Sequence, residues 1–322
     1  MKEGHFQILN RCLLKRTRGV NMAKQRSGSK IKRSPGDQAV QVIIYIIIGL
    51  FAIIMVLPFL YVIAGSFATE RELTERAFFI IPREFSLNAY KYIIKSGDIL
   101  RGLKNSVIVT ICGTIVNMFF TTTLAYPLSR YYLRGRNFFI NMVIITMLFS
   151  GGMIPSYLVV SGLNLTNTYW ALWLPGAVSA FNMIIIKNYF QGIPQELEEA
   201  ARVDGSSDLG IFLKIILPLS KPTLASVSLF YAVGHWNSYF SAMLYISNRE
   251  MEVVQIALRR IIFLAGGINT DGTPIDWGLL GQPPEKAVKM ASTVVATVPI
   301  LLIYPFIQKY FTKGVMVGAV KG

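Results

Sequence analysis

Few residues in this chain could carry out catalysis, and their spacing is wrong for it. The 322 residues include 2 His and 2 Cys. His5, His235, Cys12 and Cys112 are scattered, and they make neither a metal-ligand pattern nor a disulfide framework. No Gly-x-x-x-x-Gly-Lys-Ser/Thr loop occurs, and the glycines at Gly314 and Gly318 only mimic one, so nucleotide has no such cradle here. The informative spacing is in a charged segment between two apolar stretches: Glu196, Leu197, Glu198, Glu199, Ala200, Ala201, Arg202, Val203, Asp204 and Gly205, then Ile215, Leu217 and Pro218. Ala200 and Ala201 would allow another surface to approach the backbone, and Gly205 supplies a turn.

Local physics predicts the elements that hold these residues. Pro194 suits a helix start, and Glu196, Glu198 and Glu199 complement the positive end of the helix dipole. Leu197, Ala200 and Ala201 share one face at i, i+3 and i+4, and a left-handed Gly205 should end the helix. Ser206 and Ser207 can cap a second helix. In it, Leu209, Phe212, Leu213 and Ile216 form an apolar stripe before Pro218 stops it. The expectation is two short helices joined by a Gly turn on a membrane face.

The flanking sequence places that hairpin in a membrane protein. Hydrophobic residues are 53% of the chain and charged residues 15%, far from the soluble balance. Charge-free windows long enough for spans of about 20 residues predict helices at 40–64, 106–128, 138–160, 168–189, 222–246 and 290–308. The fold class is therefore all-α: a polytopic membrane protein of six transmembrane helices with two cytoplasmic helices. The domains are a basic, disordered tail over 1–39, a six-span membrane domain over 40–311 and a C-terminal tail over 312–322. Loops 65–105 and 247–289 face outward and the loop 190–221 inward. Orientation follows from ten Lys and Arg in the N-terminal tail, from Arg130, Arg134 and Arg136 after the second span, and from Lys309, Lys313 and Lys321 near the end. Both termini should be cytosolic. The net charge of +15 reads as topology and contact with anionic lipid rather than nucleic-acid binding. The first apolar run starts too late and is too long for a cleavable signal, and translation from Met22 is an open expectation.

Polar residues inside the spans are costly in lipid and should face the bundle or a wet path. They are Asn117, Thr121, Thr122 and Thr123, then Asn182, then His235, Asn237 and Ser238. Asn117, Asn182, Trp236, Asn237 and Tyr239 are the candidates to line such a path, the amides offering hydrogen bonds and the rings flat apolar faces. The alternative is that the amides and hydroxyls bond helix to helix.

The spacing Glu199-Ala200-Ala201, Gly205, Ile215, Leu217-Pro218 resembles the "EAA" signature of permease subunits of ATP-binding-cassette importers. The resemblance extends over residues 40–322. Pro82 with Ser86-Leu87-Asn88-Ala89-Tyr90, Trp236-Asn237 and the ending from Gln308 to Gly322 look like elements of the carbohydrate-importing branch. The ending is similar to that of importers of uronic-acid oligosaccharides. This likeness implies the type I importer permease fold and a permease subunit of an ATP-driven, binding-protein-dependent oligosaccharide importer in the cytoplasmic membrane. It also implies coupling helices that dock on an ATPase, a second permease subunit, two ATPase subunits carrying ATP and Mg, and an extracytoplasmic solute-binding protein. Gly267, Ile268, Asn269 and Thr270 would then contact that binding protein. A permease for another solute is the nearest alternative. An ion-coupled secondary transporter would normally carry a carboxylate within a span, and an embedded enzyme would need clustered His, Asp or Glu at membrane depth; neither pattern is present.

Overall fold

The computed structural model describes residues 35–267 and 284–319, and every regular element among them is helical. The all-α expectation stands. The tail before residue 35, with His5, Cys12 and Met22, lies outside the described residues, as do Ile268, Asn269 and Thr270. Met1–Pro58 and Phe59–Gly322 form two compact units.

The first unit contributes most of helix α1 (Pro35–Ser66), which begins five residues before the span expected at 40. A proline in the first turn loses no hydrogen bond, because that N–H has no helical partner. The span Gln38–Ser66 has a mean hydropathy of 3.0, and its side chains up to Pro58 are almost all exposed. A helix that is apolar all round with no buried face is suited to lipid.

In the second unit the segment expected as an outer loop at 65–105 is largely helical. It holds α2 (Glu70–Glu75), α3 (Asn88–Ser96) and the first turns of α4 (Asp98–Ser129). Its organiser is Glu72, buried and accepting from the backbone N–H of Arg83 at 2.9 Å and of Glu84 at 3.4 Å, and from Arg76 at 2.5 Å. Gly97, at φ +69, ends α3 and starts α4.

Helix α4 is a main packing axis of the second unit. Next along the chain come α5 (Arg136–Leu148), α6 (Met153–Gly162), α7 (Trp170–Trp173) and α8 (Ala180–Gln191). The hairpin region follows as α9 (Glu196–Val203), α10 (Asp208–Ile211), a π segment (Phe212–Ile216) and α11 (Leu217–Leu219). Last are α12 (Lys221–Trp236), α13 (Tyr239–Tyr245), α14 (Val254–Ala265) and α15 (Glu285–Ala319). Helix α4 lies against α8, α12 and α14, and α15 against α12 and α14. Glycines allow close approach at two of these crossings. A Cβ on Gly102 would lie 2.9 Å from the Val254 backbone, and one on Gly113 would lie 2.6 Å from the His235 ring. Small residues at such crossings let helices pack by contact rather than by solvent exclusion, as membrane bundles require.

By length and composition, three described helices can cross a membrane, or up to five if each bent pair is one span. The expected spans at 40–64, 106–128 and 290–308 fall on α1, α4 and α15. The span at 138–160 is not straight: α5 and α6 meet at 116° across residues 149–152, where Gly151 and Gly152 interrupt the ladder. The expected span at 168–189 divides into α7 and α8 around Pro175 and Gly176, and the one at 222–246 breaks at Asn237 and Ser238. Helix α15 continues to Ala319, through the segment taken as a separate tail from 312.

Candidate functional site

The hairpin forms as its sequence predicts. Helix α9 starts at Glu196, and Gly205 adopts φ +80 immediately after its end. Ser207 caps α10, its Oγ accepting from the Gly210 N–H at 3.2 Å. The helix does not stop at Pro218. It runs to Leu219 through the π segment, in which the Leu217 N–H bonds back to the Phe212 carbonyl. Pro218 has no N–H and its ring crowds the preceding turn, so widening that turn relieves the clash. Asp208–Leu219 then meets α12 at 83°.

The two faces of the hairpin divide its apolar residues. Ala201, Ile211, Phe212 and Ile216 are buried in one cluster with Leu128, Ile186, Phe190 and Val227. Ile215 and Leu217 are half-buried against it. Glu199, Ala200, Asp204 and Pro218 are exposed, and so are Leu197, Val203, Leu209 and Leu213, with Val203 at 88%. The expected shared face of Leu197, Ala200 and Ala201 therefore splits: Ala201 is packed on the bundle, and the other two point away from it.

Under the hairpin, Glu198 and Arg130 form an ion pair with both side chains buried, at 5% and 3% exposure. Burial pushes the Glu198 carboxyl above its usual range, while Arg130 and Arg202 pull it the other way. The Arg130 guanidinium lies 4.9 Å from the Tyr126 ring centre and donates to the Phe190 carbonyl at 3.4 Å. Arg202 makes a second tie, to Asp208 at 2.7 Å and to the Tyr132 hydroxyl at 2.8 Å. One end of α4 is thus tied to the hairpin by charge and by packing.

The path candidates separate into buried and exposed residues. The Asn117 amide donates to the Gly176 carbonyl at 2.9 Å, and its oxygen faces His235 Nε2 at 3.4 Å. The side chain thus joins α4 to the turn before α8 and to α12. Thr121 Oγ1 is 2.7 Å from the Tyr231 hydroxyl, and Thr122 and Thr123 bond within α4. Asn182 is buried in the first turn of α8, and Trp236 is buried against the cluster of Ile99, Val254 and Ala291. Asn237 is exposed, bonded to the Val233 carbonyl at 3.0 Å. Tyr239 is half-buried, its hydroxyl 3.3 Å from Met243 Sδ. Of the loop residues proposed to reach a binding protein, only Gly267 is described, at φ +77.

Residues 131–317, more than half of the chain, match the family described as binding-protein-dependent transport system inner membrane component. The chain belongs to this family. It is 52% identical over 269 residues to Protein LplC of Bacillus subtilis (strain 168), covering 84% of this chain and 90% of that protein. It is 51% identical over 280 residues to the polygalacturonan/rhamnogalacturonan transport system permease protein YtcP of the same strain, covering 87% and 97%. A chain in the crystal structure of a bacterial ABC transporter involved in the import of the acidic polysaccharide alginate aligns with a TM-score of 0.79 at 30% identity, covering 87% of this chain and 99% of that one. The protein is thus an inner membrane transport component rather than a catalytic subunit.

In this inner membrane component the buried pair was the feature hardest to see from sequence. Arg130 reads as one of three arginines in a short cytosolic turn, and Glu198 as one of three acids in a first helical turn. Each has a sufficient local explanation. That they meet follows from the 67 residues between them folding back on α4.

Proposed function

We propose that this chain is the permease subunit of an ATP-driven oligosaccharide importer, forming half of the translocation path and coupling to an ATPase through α9 to α11. The observation that carries the coupling role is that Leu197, Val203, Leu209 and Leu213 of the hairpin are all exposed, as is Glu199. Large apolar side chains exposed together with charged ones on one short hairpin suit a protein partner. Glu199 and Asp204 are its polar contacts, Ala200 the point of close approach and Gly205 the turn. ATP and Mg bind on the partner ATPase, and this chain takes no nucleotide. A second permease subunit completes the path, and an extracytoplasmic binding protein delivers the saccharide at the end opposite the hairpin. Both termini are cytosolic.

Coupling requires the hairpin to move with the bundle. An ATPase closing on ATP must contact the hairpin differently in its two states, or hydrolysis shifts nothing. The Arg130–Glu198 pair and the packing of Ala201, Phe212 and Ile216 make the hairpin and α4 move together, so displacement of the docking face is delivered to a membrane-length helix. Saccharide as cargo is supported by the names of YtcP and of the alginate importer.

The test is purification of the intact complex in mild detergent, comparing wild type with a V203E/L209E variant. We expect the wild-type chain to retain ATPase subunits and binding-protein-stimulated hydrolysis, and the variant to keep its second permease subunit but lose the ATPase. Retention of the ATPase by the variant would remove this face from the docking role.

A further inference from the structure

At the far end of α12 from the hairpin, the arginines are matched with carboxylates. Arg249 reaches Asp98 at 2.8 Å, Arg101 reaches Glu250 at 3.2 Å, and Arg260 pairs with Glu252. Arg259, on the adjacent position of α14, differs. It is exposed, and among the described residues no carboxylate lies within ion-pair distance of it. Side chains from α13 and α14 hold its guanidinium instead. It lies 5.8 Å from the ring centre of Tyr239 and 5.3 Å from that of Phe263, with Nη1 2.8 Å from Met243 Sδ.

A thioether is a weak acceptor and takes a donor at Nη1 only, and no carboxylate among the described residues takes the other N–H groups of Arg259. Asn237 and Phe240 are exposed at the same helix break. An exposed amide together with a guanidinium that has no carboxylate partner among the described residues is costly against acyl chains, which argues that this surface meets a polar phase. An aromatic ring beside a fixed guanidinium is chemically matched to a sugar bearing a carboxylate: the ring packs on the C–H face of the pyranose and the fork takes the two carboxylate oxygens.

We propose that Arg259, with Tyr239 as its platform, receives the carboxylate of an acidic saccharide at the entrance of the path and selects for uronate over neutral sugar. This rests on the reading of the chain as a saccharide permease. It adds a charged determinant that no span contains, because Arg259 is supplied by the short helix after the fifth expected span.

The test uses the complete importer in proteoliposomes, with uptake of an oligogalacturonate and of its methyl ester measured side by side. In the R259Q variant the ratio of acid to ester uptake should fall about tenfold or more, the loss of one bidentate charged contact. R259K, which keeps the charge and loses the fork, should fall between the two. If R259Q does not assemble, R259K is read by the same ratio. An unchanged ratio, or equal loss of both sugars in an intact complex, would overturn the assignment of Arg259; the first outcome is that of a lipid-facing anchor and the second that of a subunit-interface residue. Failure of the unmodified complex to take up either sugar would count against saccharide import itself.

Discussion

Arg130 at the end of α4 and Glu198 in α9 are joined as an ion pair with both side chains buried, beneath a surface that is otherwise exposed. Removing one partner leaves a charge stranded in an apolar cluster. Glu198→Leu should therefore lower stability by about 3 kcal/mol or more, and Arg130→Met by a similar amount. The double variant should regain most of the loss, because apolar replacement of a whole buried pair costs little. Thermal unfolding in detergent reads all four proteins. A double variant no more stable than the singles would show that the two residues do not act as a unit.

Gly205 has φ +80, and a Cβ there would meet nothing within 4 Å. The cost of a side chain is then purely conformational. Gly205→Val should lose about 1–2 kcal/mol locally and reduce saccharide carried per ATP hydrolysed. Gly205→Asn should be milder, since Asn tolerates the left-handed region. Equal damage from both substitutions would mean that side-chain bulk, not backbone conformation, is what the docking partner rejects.

The crossing of α4 and α12 at Gly113 has no room for a methyl group, since the His235 ring would be 2.6 to 2.8 Å from the added Cβ. Gly113→Ala should cost about 1–3 kcal/mol through overpacking. Adding His235→Ala should relieve it, and comparison of the thermal midpoints of the single and double variants decides. A harmless Gly113→Ala would mean that the ring swings aside at no cost and that the crossing is loose.

Glu72 gives the α2 region a pH dependence of definite sign. Burial pushes its carboxyl up, but the N–H groups of Arg83 and Glu84 and the Arg76 guanidinium outweigh it, holding the group below the ordinary glutamate value of 4.5. A carboxylate lowered in the folded state stabilises above its unfolded value, and that contribution is lost as pH falls through the folded one. Stability should therefore decline on acidification below 4.5. Glu72→Gln should flatten the decline in a series of thermal midpoints between about pH 6 and about pH 3. An unchanged slope would assign the acid sensitivity to other groups.

What was legible in the sequence was whatever local backbone chemistry decides. Gly205, Ser207 and the acids of the first turn of α9 specify a turn, a cap and a helix start within a few residues, and the structure has all three. The apolar windows located α1, α4 and α15, because a long stretch without charge has few other ways to satisfy its backbone than as a helix in lipid. Interruptions were harder to see. The 116° bend after Leu148 depends on two glycines inside an apolar window, where hydropathy averages over them. The break at Asn237 likewise leaves the average unchanged.

By itself, then, the sequence determined an all-helical membrane chain of the importer permease family and the helical hairpin within it, since periodicity, capping and hydropathy act over short separations. Only the tertiary structure decided which hairpin residues face out, that Asn117 bonds to the turn at Gly176 and faces His235, and that Arg130 and Arg259 have opposite situations. One is buried against a carboxylate and the other is held open on aromatic rings. The physical reason is that burial and charge pairing depend on distances between helices remote in sequence, and no local pattern encodes those distances.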